Sequence, residues 1–160
     1  MTIKIGDTLP EATFMVPTKD GPAAKTSAEI FAGKKVALFA VPGAFTPTCS
    51  ARHLPSYKDK HAELAAKGVD TIACLSVNDA FVMGAWAKDQ GIGDEILMLA
   101  DGSGTFAKAI GLEMDASKFG MGMRSQRFSL IADNNVVTHL FVEAPAEYKV
   151  SGAEYMLENM

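Results

Sequence analysis

Residues 36–55 read VALFAVPGAFTPTCSARHLP. The opening run, 36-VALFAVP-42, is a short unbroken apolar stretch, the pattern of a strand buried on both faces. Pro42 closes it and Gly43 permits a tight turn. A helix is expected to open near Cys49, so the stretch is a strand, a turn and a helix start with one thiol at the junction. Thr46 lies three residues before Cys49, giving T-x-x-C. A dithiol oxidoreductase would carry C-x-x-C here. This chain has threonine in the first of those places, so it can use one thiol but cannot close a disulfide within the motif.

Outward from this point, strand and helix signals alternate. Upstream, 26-TSAEIFAG-33 reads as a short helix with a capping box from Thr26 to Glu29 and a closing Gly33. Downstream, 56-SYKDKHAELAAKG-68 is a helix ended by Gly68, with Pro55 expected to bend or delay it. A second buried strand is 69-VDTIACLSV-77. Asn78 and Asp79 are candidate caps for a helix at 80-AFVMGAWAKDQ-90. A third strand is expected at 96-ILMLAD-101 and a helix at 103-SGTFAKAIG-111. The glycine- and methionine-rich residues 112–126 read as a loop. Residues 127–143 read as a hairpin turning at Asp133-Asn134-Asn135. Ser151 and Glu154 offer a capping box for a last helix over 152–160. The alternation, followed by a hairpin and a terminal helix, predicts an α/β sandwich with a mixed sheet.

The chain has 160 residues, 48% hydrophobic and 21% charged, with a net charge of −4. This fits one globular domain. The acidic balance argues against nucleic acid, which calls for a basic stripe, and against anionic membranes. No apolar run approaches the roughly 18 residues of a membrane span. The first residues, MTIKIGDTLPEATF, lack a secretory pattern. With only two cysteines there is no disulfide framework, and a reducing cytoplasm is the expected compartment. Two separated cysteines and three scattered histidines have no zinc-site spacing.

The thiolate, not the thiol, is the nucleophile. Lowering a thiol's pKa by about two units takes roughly 2.7 kcal/mol, and a helix N-terminus supplies about 0.3–1 kcal/mol, up to about 2 in a sheltered site. A cation is therefore expected to help. The chain has three arginines, Arg52, Arg124 and Arg127; only Arg52 is local, and spacing alone does not choose between the other two. A lone intracellular cysteine is otherwise a small buried hydrophobe, so a binding module with inert thiols stays open. His53, four residues after Cys49, also leaves open a Cys–His hydrolase.

The run 42-PGAFTPTCS-50 carries the P-x-x-x-T-x-x-C motif of the peroxiredoxins, and VPGAFTPTCSxxHLP resembles their type-II, peroxiredoxin-5-like branch. The segments 67-KGVD-70, 73-ACLSVNDAFVMGAW-86, 99-LADGSGTFAKAIGL-112 and 124-RSQRFSLIAD-133 follow that branch's order and spacing, so the resemblance spans the chain. It implies a thioredoxin-like fold over residues 1–160, a central mixed β-sheet flanked by helices. It implies a peroxidase reducing hydrogen peroxide and alkyl hydroperoxides through a cysteine sulfenic acid, with no cofactor and no metal. A peroxide sensor passing oxidation to a partner protein would have the same site.

The family's site residues match Cys49 as the peroxidatic nucleophile and Thr46 as the hydrogen-bonding threonine. Pro42 matches the shielding proline and Arg127 the arginine beside the thiolate. Gly43, Phe45 and Thr48 would line the pocket, and Arg124 would be a surface or loop arginine. The family histidine in H-L-P gives His53 a packing or hydrogen-bonding role. Cys74 reads as a buried structural thiol, with resolving cysteine as the alternative. Ser151 stands about where some members carry a C-terminal resolving cysteine, so external resolution by glutathione, glutaredoxin or thioredoxin is favoured. A homodimer is implied as well. Phe45, Phe81 and Trp86 read as core, and Met121 and Met123 as gap-fillers.

Overall fold

The structure, a computed structural model, describes residues 1–160. Its strands are β1 (Thr13–Thr18), β2 (Gly21–Thr26), β3 (Lys35–Val41), β4 (Thr71–Ser76), β5 (Leu97–Ala100), β6 (Glu113–Asp115), β7 (Met123–Ser125), β8 (Phe128–Asp133) and β9 (Val136–Val142). Its helices are α1 (Ser27–Phe31), α2 (Leu54–Ala66), α3 (Ala80–Asp89), α4 (Thr105–Ala109) and α5 (Ala153–Glu158). Seven strands form one sheet in the order β2-β1-β5-β4-β3-β8-β9. β3, β4 and β5 run parallel, while β8 and β1 lie antiparallel to β3 and β5. This is the expected mixed sheet. β4 sits at its centre; β3 lies beside it, between β4 and β8, and is buried over Val36–Val41 because helices and loops cover both faces.

Two cores result. Phe39, Cys74, Tyr57 and Trp86 pack on the face under α2, α3 and α5. Phe14, Leu38, Phe106 and Leu130 fill the other. Alternation along β3 assigns its odd-numbered side chains to the first face and its even-numbered ones to the second. No helix is long and apolar enough to cross a membrane.

Several expected elements are present with their predicted chemistry. The Thr26–Glu29 capping box closes as read, and Asp79 caps α3 by accepting from the Val82 N–H at 2.9 Å. The β8–β9 hairpin turns on Asn134 and Asn135, at φ 47° and 70°, the left-handed pair a two-residue turn requires.

Others differ. Residues 113–125 are not all loop: β6 and β7 pair there as a small antiparallel ribbon. The helix opens near Cys49 as expected, but Pro55 does not delay its continuation: α2 already runs from Leu54. Proline lacks an N–H to donate back along the helix. Residues Cys49–His53 accommodate this as a π-turn, in which the Leu54 N–H reaches the Cys49 carbonyl, and α2 follows without a break. Ser151 does not cap α5; Gly152 holds the N-cap position and the Ser151 hydroxyl donates to Glu143 instead.

Candidate active site

The end of β3 delivers Pro42 and Gly43 to one edge of the site. The Gly43 carbonyl accepts the Thr46 hydroxyl at 2.7 Å, closing the turn. The Ser50 N–H then donates to the Thr46 carbonyl at 2.9 Å, so the helix opens at Thr46 and Cys49 lies in its first turn. Free N–H groups at such a terminus favour negative charge nearby. Phe45 takes a left-handed backbone, φ 62°, and the residue is 52% exposed. Thr48 is half-buried and makes no side-chain cap bond.

Cys49 is fully buried. Arg127, between β7 and β8, brings its Nη2 within 3.1 Å of Cys49 Sγ and donates to it. Away from bulk water such a contact is worth more than at a surface. The same guanidinium donates through Nη1 to His53 Nδ1 at 2.8 Å. Nδ1 must then be the bare nitrogen, and Nε2 carries the hydrogen, which it donates to the Ser151 carbonyl at 3.0 Å. Burial first, then the neighbouring Arg127 charge, holds the His53 imidazole down at about 3, so it stays neutral. His53 thus acts as an acceptor that aims Arg127, and no bond links it to the thiol. Phe39 stacks on Tyr57 with ring centroids 4.1 Å apart and tilts against His53 at 4.9 Å, walling the imidazole in. Tyr148 meets His53 edge-on at 5.2 Å and lies under Arg52 at 4.5 Å.

The structure therefore brings Cys49, Arg127 and His53 together, with Thr46, Pro42 and Gly43 on the adjoining turn. Arg124 is not a detached surface residue. It is half-buried, its Nε donates to the Met121 carbonyl at 2.9 Å, and its Nη1 lies 3.5 Å from the Pro42 carbonyl. It braces the turn, whereas Arg127 meets the sulfur.

Two residues read as core are surface. Phe81 is 74% exposed because Ala80, Met83 and Trp86 form the buried stripe of α3, leaving Phe81 on its outer side. Phe45 is lifted out by its turn. Trp86 is core as expected, and its indole N–H donates to Ser50 at 2.9 Å. Met121 approaches Gly43, while Met123 is exposed.

Cys74 is fully buried mid-strand, opposite Phe39 on β3 and Met98 on β5. Burial, reinforced by the nearby Cys49, pushes its thiol well above the ordinary range. It is therefore a poor nucleophile where it sits. Both cysteines are free thiols.

Sequence reasoning missed Asn78, Glu143, Ser151 and Tyr148. Asn78 reads as a helix cap, but its side-chain oxygen accepts from the Ala44 N–H at 3.0 Å and from the Ser76 hydroxyl, pinning the 42–46 turn to the end of β4. A polar residue just after a buried strand, opposite a second strand end, was the available signal.

With this geometry a guanidinium donor is aimed at the buried Cys49 sulfur, an arrangement that stabilises negative charge on sulfur and on an oxygen reacting with it. The Redoxin family matches residues 4–157. Peroxiredoxin-2E-2, chloroplastic, of Oryza sativa subsp. japonica is 51% identical, the match covering 98% of this chain and 72% of the relative. Peroxiredoxin-2C of the same organism is 47% identical, covering 98% and 97%. Among solved structures, reduced Prx3 in complex with H2O2 from Vibrio vulnificus is 57% identical, with a TM-score of 0.94 over 99% of both chains.

Proposed function

The chain belongs to the Redoxin family and, within it, to the peroxiredoxins, thiol-dependent peroxidases of thioredoxin-like fold; from that premise we propose that Cys49 is its peroxidatic nucleophile and Arg127 the cation that serves it. The observation carrying this reading is the 3.1 Å contact between Arg127 Nη2 and Cys49 Sγ in a buried setting. The Cys49 thiolate attacks one peroxide oxygen. A sulfur–oxygen bond forms, the O–O bond breaks, and the leaving oxygen takes up a proton to depart as water or an alcohol. Cys49 is left as a sulfenic acid. Arg127 faces the charge as it moves from sulfur to oxygen. Thr46, at the mouth of the turn, is the second donor, its hydroxyl turning from the Gly43 carbonyl to the peroxide. Pro42 shields the sulfur from water, and Gly43, Phe45 and Thr48 complete the pocket edge.

Resolution of the sulfenic acid is assigned to an external thiol, glutathione with glutaredoxin or thioredoxin. One thiol condenses with it to a mixed disulfide, releasing water, and a second thiol frees Cys49. Support comes from Cys74, which is held in a central strand with its proton firmly bound. Such reductants favour the cytoplasm as the working compartment, a location checked by fractionating the source cells. A homodimer is part of the same reading. The Ala44–Asn78 hydrogen bond ties the loop bearing Phe45 to the segment that starts α3 and carries Phe81, so two large exposed apolar side chains stand on linked segments. Sedimentation of the wild type and of Phe81→Glu tests this: the variant should be monomeric.

The deciding assay measures peroxide reduction by wild type, Cys49→Ser and Cys74→Ser, each with the glutathione–glutaredoxin and the thioredoxin system. Loss only in Cys49→Ser supports the assignment. A loss of two hydrogens from the intact mass after peroxide, absent in Cys74→Ser, overturns external resolution.

A further inference from the structure

Glu143, just after β9, is 7% exposed. Its Oε2 accepts the N–H groups of Lys149, Val150 and Ser151 at 2.8, 2.9 and 2.9 Å, and the Ser151 hydroxyl at 2.7 Å. Three successive amides wrapped around one carboxylate oxygen make a nest. Burial pushes this carboxyl up, but the Ser151 hydroxyl and the three amides outweigh it and hold the group below its ordinary range. Glu143 is therefore an ionised clasp on the strap between β9 and α5.

This strap carries the acceptor that orients the site. The Ser151 carbonyl takes the His53 Nε2–H at 3.0 Å and the Tyr57 hydroxyl at 2.8 Å. With the hydrogen on Nε2, Nδ1 presents a lone pair to Arg127 Nη1. The guanidinium has only donors, so the other tautomer would set N–H against N–H, and a flipped ring would set it against a C–H with no lone pair. The main chain of Glu143 acts on the same target: its N–H donates to the Arg127 carbonyl at 3.0 Å. One residue therefore holds Arg127 by its backbone and, through Ser151 and His53, by its guanidinium.

Resting on the assignment of Cys49 and Arg127 above, we propose that Glu143 is a positioning residue of the peroxidase site, its carboxylate clasping residues 149–151 so that His53 keeps the tautomer that aims Arg127 at Cys49. Nothing in the peroxide chemistry itself touches Glu143; its effect passes through the strap.

The test compares wild type, Glu143→Gln, which keeps one acceptor oxygen, and Glu143→Leu, which keeps none. Two readouts are taken on folded protein: the rate of Cys49 oxidation by hydrogen peroxide, and the ring-nitrogen NMR pattern of His53, assigned by its loss in His53→Gln. Wild type should show one protonated ring nitrogen, Nε2. Glu143→Leu should show mixed or exchanging tautomers and a rate lower by about tenfold or more, with Glu143→Gln lower by about two- to fivefold. If Glu143→Leu does not fold, Glu143→Gln alone carries the comparison. Wild-type rate in the variants, or a lowered rate with an unchanged His53 pattern, overturns the proposal. The NMR pattern is read without peroxide, so a wild type in which Cys49 fails to react would sink the catalytic assignment independently.

Discussion

Acid should destabilise this fold through His53 well before the carboxylates titrate. The buried imidazole is held at about 3 by desolvation and the Arg127 charge, whereas an unfolded histidine titrates near about 6.5. Between those values unfolding takes up a proton that the folded state refuses. Stability therefore rises with pH across this window and falls by up to about 1.4 kcal/mol per unit on acidification. From about pH 7 to about pH 5 the loss works out at about 2 kcal/mol, a large part of a typical margin of about 5–15 kcal/mol. Glu143 acts lower: a carboxyl held below its ordinary value loses its contribution only as pH drops below about 4.3. Urea unfolding of wild type and His53→Gln at a series of pH values measures the effect. Wild type should lose about 2 kcal/mol, and the glutamine variant markedly less. Equal losses in both proteins, or none in wild type, would refute the reasoning.

Arg127→Ala should slow Cys49 oxidation by about 10²–10³-fold, the usual cost of removing an aimed donor, and Arg124→Ala by much less; stopped-flow oxidation with hydrogen peroxide ranks the two, and the reverse order would contradict the geometry. Gly43→Ala would set a Cβ 3.2 Å from both Thr46 Cγ2 and Arg124 Nη1. With no left-handed backbone involved, its melting temperature should change little while its peroxidase rate falls. Asp101 accepts the N–H groups of Phe106 and Ala107 at 3.1 and 3.0 Å. Asp101→Ala should therefore cost about 1–2 kcal/mol of stability in urea with the Cys49 rate unaltered.

The parallel core of the fold was legible because β3, β4 and β5 are apolar runs set between helices whose caps are written in Thr26 and Asp79. The β1–β2 hairpin was not. Pro17 and Pro22 face each other across it, and proline within a run weighs against a strand, although pairing at a sheet margin tolerates it. The β6–β7 ribbon lay hidden in glycine and methionine, which carry little strand preference. At the site, T-x-x-C and the arginine ahead of β8 could be read locally together with the family motif. His53, Ser151 and Glu143 could not be connected that way. Their link crosses about a hundred residues and depends on main-chain groups of a strap with no regular structure, and neither periodicity nor spacing records such contacts.

The most direct test of the account is to trap the oxidised sulfur. Wild type treated with one equivalent of hydrogen peroxide and a sulfenic-acid-specific carbon nucleophile is digested and mapped by mass spectrometry. The adduct should sit on Cys49 alone, and Arg127→Ala should form it far more slowly. An adduct on Cys74, or rapid labelling of Cys49 without Arg127, would contradict the claim that these two residues make the peroxidase.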